Sequence, residues 1–238
     1  MQNMLHMVFP PQCVSCRELV TSDFSLCGSC WRDTPFISGL VCDACGVPLP
    51  GGDEGGIEYC DDCLSIARPW DRGRAALIYK RNGRGLVLAL KHGDRLDLAK
   101  PAAQWMLQAA QKLMCDDTVI APVPAHYIRL VRRRYNQAAE LSRELARLTG
   151  KPVLPDLLRR VRRTKVQDGM GRDARFANLS GAIHPRKSAK ERLRGRPVLL
   201  IDDVMTSGAT LAAATEACHA AGASKVSVLT LARVAKDA

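Results

Sequence analysis

Four Cys-x-x-Cys pairs constrain this chain more than any other feature. They are Cys13/Cys16, Cys27/Cys30, Cys42/Cys45 and Cys60/Cys63, with 10, 11 and 14 residues between successive pairs, and they hold eight of the ten cysteines. Two thiolates two residues apart on a tight turn can face one ion. A second such knuckle completes a tetrahedral site with Zn–S bonds of about 2.3 Å. Eight thiolates therefore make two all-cysteine sites, and the spacing leaves open whether consecutive or interleaved knuckles share an ion. Disulfides are the main alternative, but they need an oxidising compartment, and the start MQNMLHMVFPPQC lacks the basic and long apolar regions of an export signal. Gly28, Gly46 and the pairs Gly51-Gly52 and Gly55-Gly56 are expected to supply left-handed turns for the knuckles and their hairpins. Zinc would fold a segment too short to build its own core. All-thiolate ligation points to a structural role, because a catalytic zinc keeps an open position.

Charge divides the chain in the same way. Residues 1–70 hold 3 Lys/Arg against 9 Asp/Glu, whereas residues 126–196 hold 20 against 6. The acidic head is thus a poor surface for phosphates, and the basic middle a good one. A hydrophobic content of 47% excludes disorder as the dominant state. No apolar run approaches the roughly 18–20 residues of a membrane span. The expectation is a soluble, unexported, cytoplasmic protein with no membrane span.

Beyond Pro69-Trp70 the pattern becomes apolar runs alternating with amphipathic stretches. Ala75–Tyr79, Thr118–Pro122, Val153–Leu154, Val198–Ile201 and Val226–Leu231 read as strands. Gly85–Lys91, Ala99–Met114, Asn136–Thr149 and Thr210–Ala221 read as helices, the last two stopped by Gly150 and Gly222. Residues 159–196 show little periodicity and read as a long loop or insertion. Cys115 and Cys218 fall on apolar helical patterns and are expected in the core. The alternation predicts an α/β fold, a parallel sheet flanked by helices, over residues 69–238, with a zinc ribbon head over 1–68.

The sharpest local signal runs from Val198 to Leu211. A buried strand delivers adjacent carboxylates, Asp202 and Asp203, to its C-terminal end, where open α/β sheets bind ligands. Thr206, Ser207, Gly208, Ala209 and Thr210 then make a small polar turn that opens a helix. Backbone N–H groups and hydroxyls in such a turn surround a phosphate at the positive end of the helix dipole. Paired carboxylates accept hydrogen bonds from vicinal hydroxyls. Acids plus phosphate cradle describe a ribose 5-phosphate, and a P-loop is excluded because its G-x-x-x-x-G-K-[ST] pattern is absent.

These residues resemble the type I phosphoribosyltransferases. More narrowly, the chain resembles the ComF family of competence-associated proteins, with a double zinc ribbon before a phosphoribosyltransferase domain. The resemblance also rests on Phe9-Pro10, Lys91-His-Gly-Asp94, Pro122-Val-Pro124, Asn136-Gln137-Ala138 and the spaced set Arg160, Thr164, Gln167, Arg175 and Asn178. It implies that Asp202 and Asp203 hold the 2- and 3-hydroxyls of phosphoribosyl pyrophosphate (PRPP), and that Thr206–Thr210 hold its 5-phosphate. It implies further that Pro124, Ala125 and His126 lie in the pyrophosphate loop, and that residues 160–178 close over substrate, with Arg160, Arg163 and Arg175 meeting the leaving pyrophosphate. Mg2+ would accompany PRPP. The family's usual Arg-Gly-Phe-Asn-Gln stands here as Arg133-Arg134-Tyr135-Asn136-Gln137, and Ser207 replaces a common Thr.

The function so implied is PRPP binding, with transfer of the phosphoribosyl group to an acceptor the sequence does not identify, in the context of DNA uptake or utilisation. A PRPP-sensing adaptor would use the same residues. A module handling single-stranded DNA together with DNA-uptake proteins would use the basic run Arg129, Arg132, Arg133 and Arg134, although Tyr127, Tyr135 and Phe176 are the only aromatics of the basic region available to stack bases. Pairing of Glu140 and Glu144 with Arg143 and Arg147 is the plainer reading of the helix that follows.

Overall fold

A computed structural model describes His6 and residues 9–92, 95–125, 135–162 and 171–235. In the head, helices α1 (Gly28–Asp33) and α2 (Asp61–Ser65) each begin directly after a cysteine, Cys27 and Cys60, that serves as N-cap. The body follows in the order β1 (Arg72–Ile78), α3 (Arg81–His92), α4 (Ala99–Ala110), β2 (Val119–Pro122), α5 (Gln137–Thr149), β3 (Leu158–Arg160), α6 (Arg172–Leu179), β4 (Ile183–Pro185), α7 (Ala189–Leu193), β5 (Val198–Met205), α8 (Ala209–Ala220) and β6 (Val226–Arg233).

Four strands form one sheet in the order β1-β6-β5-β2, and every pairing is parallel. The strand sequences explain this. β5 opens on the continuous apolar run Val198–Ile201 and β6 is buried at every position, without the alternation of a half-exposed strand, the signature of strands covered on both faces. Along β5, Val198 and Leu200 join the core on one face with residues of α8, while Leu199 and Ile201 join the core on the other with residues of α3, α4 and α5.

Both sheet edges are covered. Phe36 bridges Leu77 in antiparallel fashion, with Ile37 N–H on Ala76 O at 2.9 Å and Ile78 N–H on Pro35 O at 2.9 Å. On the far edge Val153 bridges Ile120 in parallel, which is where the expected Val153–Leu154 strand settles. Edge strands with unpaired N–H and C=O groups invite aggregation, so the head also serves to close the sheet.

The ribbon contacts both faces. Val14 joins the α3/α4/α5 core, whereas Cys42, Ala44 and Cys45 join the α8 core. Gly73 makes the second contact possible: a Cβ there would stand 2.3 Å from Ala44 O. Asp43 fastens the contact through ion pairs with Arg74 and, at 3.5 Å, Arg72.

Three expectations need correction. Residues 159–196 are not a bare loop: they hold part of β3, then α6, β4 and α7, and β3 pairs antiparallel with β4. The hydrophobes Leu157, Leu158, Leu179, Ile183 and Leu193 bind this small layer to the α8 core, a tertiary cause that three-residue strands do not announce. Cys218 is buried as expected, but Cys115 is exposed, because the helix ends at Ala110 and one 3-10 turn, Gln111–Leu113, carries the chain out of the core before it. Of the head's glycines, Gly46, Gly51 and Gly55 take positive φ, and Gly28, Gly52 and Gly56 do not. Among the described residues no helix is long and apolar enough to cross a membrane.

Candidate functional site

The eight head cysteines gather into two clusters, Cys13/Cys16/Cys27/Cys30 and Cys42/Cys45/Cys60/Cys63, so consecutive knuckles share a site. In each cluster the four Sγ atoms lie within 4.8 Å of one another. Four sulfurs at tetrahedral corners about 2.3 Å from a zinc are about 3.8 Å apart. Cys16 and Cys27 Sγ are 3.6 Å apart and Cys45 and Cys60 Sγ 3.7 Å, far from the roughly 2.05 Å of a disulfide. All ten cysteines are free thiols, and both clusters fit a structural zinc ion.

The two sites are built alike. Cys13 N–H bonds Glu18 O and Arg17 N–H bonds Cys13 O, as Cys42 N–H bonds Val47 O and Gly46 N–H bonds Cys42 O. The residue after each first knuckle is left-handed, Arg17 at φ 67 and Gly46 at φ 69. Arg17 is therefore strained where Gly46 is not, and Arg17→Gly is expected to stabilise the first ribbon by about 1 kcal/mol, read by thermal unfolding with zinc present.

At the carboxyl end of the sheet, β5 presents Asp202 and Asp203. Asp203 is only 9% exposed, and its Oδ2 meets Lys91 Nζ at 3.2 Å. Asp202 accepts the Asp203 backbone N–H at 2.8 Å. Burial first, and then the Asp203 charge, push the Asp202 carboxyl up to about 7, against the opposing pull of that N–H and of Lys91. Two adjacent carboxyls are thus held together on one strand, with the Asp202 proton bound more tightly than in a free side chain.

Because its folded pKa is raised, Asp202 contributes stability that is full below the unfolded value near 4 and lost as pH rises through about 7. Asp202→Asn has no proton to lose. It is expected to raise the melting temperature at pH 8.5 by roughly 5 °C or more, and by much less at pH 5.5. Paired melts at the two pH values check this; an equal shift at both would contradict a raised pKa.

After β5 the chain turns through Thr206, Ser207 and Gly208 into α8, with Thr206 exposed. Gly208 takes φ +83, and Ala212 N–H already bonds its carbonyl at 2.8 Å, so the loop delivers the first amides of a twelve-residue helix. Ser207 Oγ lies 3.4 Å from Ala209 N. Beside β5, Val123 N–H bonds Ile201 O at 2.9 Å, and Asn136 Nδ2 donates to Val123 O at 3.0 Å, which sets Pro124 and Ala125 next to the acids' strand.

The Tyr135-Asn136-Gln137 triplet is a fastener. Tyr135 Oη donates to Leu90 O at 2.9 Å, Gln137 Nε2 to Lys91 O at 3.3 Å, and Asn136 caps α5 by accepting from Ala138 N–H. It ties the end of α3, and with it Lys91, to the end of β2. The helix-surface pairs Glu140–Arg143 and Glu144–Arg147 form as read from the sequence.

Arg160 ends β3 and Arg175 lies in α6, both in the small layer that packs on α8. Arg175 Nε is buried without a hydrogen-bond partner among the described residues. His126, Arg163 and the run Arg129, Arg132, Arg133 and Arg134 lie outside the described residues. Sequence reasoning assigned no role to Lys91, Arg68 or Arg233. Lys91 had carried a signal, since it opens the Lys91-His-Gly-Asp94 motif at the end of an amphipathic helix.

Comparison with known proteins matches both parts of the chain. Residues 4–64 match the double zinc ribbon domain, and residues 102–238 match the phosphoribosyl transferase domain. The chain belongs to the ComF family, a double zinc ribbon joined to a phosphoribosyltransferase domain. Among relatives, Competence protein F of Haemophilus influenzae is 29% identical over 93% of this chain and 96% of its own length. DNA utilization protein YhgH of Salmonella typhimurium is 29% identical over 94% of this chain and 97% of its own, and that of Escherichia coli K12 is 27% identical over the same shares. A solved structure, the allosteric regulatory enzyme of purine biosynthesis, overlays 60% of this chain and 30% of its own with TM-score 0.38 and 19% identity. Within the ComF family frame, the β5 acids and the turn into α8 lie in the matched phosphoribosyl transferase region.

Proposed function

We propose that this protein binds PRPP at the carboxyl end of β5 and transfers its phosphoribosyl group to an acceptor nucleophile. The observation that carries the reading is the continuity of Asp202, Asp203, the Thr206–Gly208 turn and the start of α8: hydroxyl acceptors and a phosphate cradle follow one another on a single strand-to-helix connection. In transfer, the C1–O bond to pyrophosphate breaks as the acceptor's lone pair closes on C1, and the transition state has oxocarbenium character. The chain's part is to fix the ribose by its hydroxyls and 5-phosphate and to meet the growing negative charge on pyrophosphate with cations, the role given to Arg160, Arg163 and Arg175.

Outside the ribbon, no three His, Cys, Asp or Glu ligands converge among the described residues. Mg2+ commonly rides on substrate phosphates with several waters retained, so the reading has it arrive with PRPP, where it would neutralise phosphate charge. The zinc head would then end at residue 68 and the transferase domain begin at residue 69, in a protein of the cytoplasm, where reduced thiols hold zinc. The relatives' names tie them to competence and DNA utilization, and the reading carries that context here, with single-stranded DNA and DNA-uptake proteins as partners.

Calorimetry with PRPP and Mg2+ tests the reading. Wild type is expected to bind one PRPP per chain, and Asp202→Ala/Asp203→Ala to bind at least about a hundredfold more weakly while keeping its circular dichroism. Folded wild type that gives no binding overturns it. Pyrophosphate release in the presence of candidate acceptors then separates transfer from PRPP sensing.

A further inference from the structure

The phosphate turn is gripped from below by two arginines. Arg233 is 5% exposed, and its Nη1 lies 3.2 Å from Met205 O, 2.7 Å from Thr206 O and 2.5 Å from Val234 O. Arg68 Nη1 donates to Ser207 O at 2.7 Å. Three successive carbonyls, those of Met205, Thr206 and Ser207, are thus turned onto guanidinium groups. In a trans peptide the next N–H points the opposite way. The N–H groups of Thr206, Ser207 and Gly208 are therefore turned away from the arginines, the arrangement a phosphate needs and an unsupported turn would have to find on binding.

Arg68 has a second attachment. Its Nε donates to Cys63 Sγ at 3.4 Å, and its guanidinium carbon sits 5.5 Å from the centre of the Trp70 ring. Cys63 is a member of the second cysteine cluster. Trp70 in turn donates its indole N–H to Ala44 O, between the Cys42 and Cys45 ligands, and its ring edge lies against Gly208. One guanidinium and one indole thus span from a metal-ligating thiolate to the phosphate turn.

We propose that Arg68 is a positioning residue of the phosphate turn and that it couples the turn to the second cysteine cluster, so that the state of that metal site sets the protein's affinity for PRPP. With metal bound, Cys63 is a thiolate and a charge-assisted acceptor for Arg68 Nε. Loss of the metal frees Cys63 to move, and the brace on Ser207 goes with it. Coupling of this kind is reciprocal: PRPP on the turn must be felt at the second cluster and not at the first. The inference deepens the PRPP reading above and rests on it for the identity of the ligand, but not for the brace itself.

The test uses the metal-loaded full chain. Arg68→Met is expected to keep two metal ions per chain, to lower the ligand-free backbone 15N order parameters of residues 206–209 from rigid values toward those of a flexible loop, below about 0.6, and to weaken PRPP binding roughly ten- to hundredfold. Arg68→Lys, which keeps the charge but reaches only one acceptor, is expected to fall between and guards against misfolding of the first variant. Arg95→Met removes a ribbon-to-body bond, Arg95 Nη2 to Val14 O at 3.1 Å, that does not touch the turn; it is expected to change neither quantity. In protein reloaded with 113Cd, PRPP is expected to shift the second cluster's resonance alone, and in Arg68→Met to shift neither. Wild-type order parameters at 206–209 in folded Arg68→Met and Arg68→Lys overturn the brace. A cadmium resonance indifferent to bound PRPP overturns the coupling. A wild type that does not bind PRPP overturns the function proposed above, and the order parameters still decide the role of Arg68.

Discussion

Cys45→Ser is expected to cost the protein one of its two zinc ions and to lower the melting temperature of the whole chain by more than roughly 10 °C. Cys42 and Cys45 are fully buried, and with Ala44 they belong to the same apolar cluster as Val198, Leu200 and Val228 of the central strands. Losing the ion therefore does more than loosen a surface ribbon. It leaves buried thiols without a charge partner beneath β1, and a structural zinc in small domains is worth about 10 kcal/mol or more of folding free energy. Cys16→Ser is the comparison. Cys16 is exposed and its cluster meets the body's apolar core chiefly through Val14, so the first ion should be lost with a melting shift of only a few degrees. Metal analysis alongside calorimetric melts distinguishes the two; equal shifts would show that the ribbons contribute equally to the body.

Gly208→Val is expected to destabilise the chain by about 2–5 kcal/mol and to abolish PRPP binding. Two costs add. A side chain at φ +83 carries the left-handed penalty of about 1–2 kcal/mol. The new Cβ would also stand 2.9 Å from Trp70 Cη2 and 3.1 Å from Arg68 Nη1, and overpacking of this kind typically costs another 1–3 kcal/mol. Gly150→Ala isolates the first cost: Gly150 takes φ +69 at the C-cap of α5, and an added methyl would meet nothing within 4 Å, so about 1 kcal/mol is expected there, with binding unchanged. Urea unfolding and PRPP calorimetry on both variants measure the difference. A Gly208→Val protein as stable as Gly150→Ala would mean that Trp70 and Arg68 do not pack against the turn.

The parts of this molecule that were legible in the sequence are those whose cause is local. Cysteine spacing announced the ribbons because ligand geometry acts over two or three residues. The β5 acids and the turn into α8 were legible because a continuous apolar run, two carboxylates and small polar residues occur in order along one connection. The layer from β3 to α7 was not, since its strands are three residues long and it is held by Leu157, Leu179 and Leu193 against a helix that follows later in the chain. The same reason hid the three basic residues of the site. Lys91 acquires its meaning from Asp203, Arg68 from a carbonyl 139 residues away, and Arg233 from the turn between β5 and α8. Cluster membership could not be read from spacing either, because it depends on how the two ribbons straddle the edge strand β1.

Amide hydrogen exchange on the zinc-loaded chain, with and without PRPP and Mg2+, tests the central claim most directly. The account predicts protection concentrated in residues 200–212, covering Asp202, Asp203 and the turn from Thr206 to Thr210, and none in the first ribbon. Protection confined to residues 129–134, or no protection anywhere in a folded sample, would contradict it.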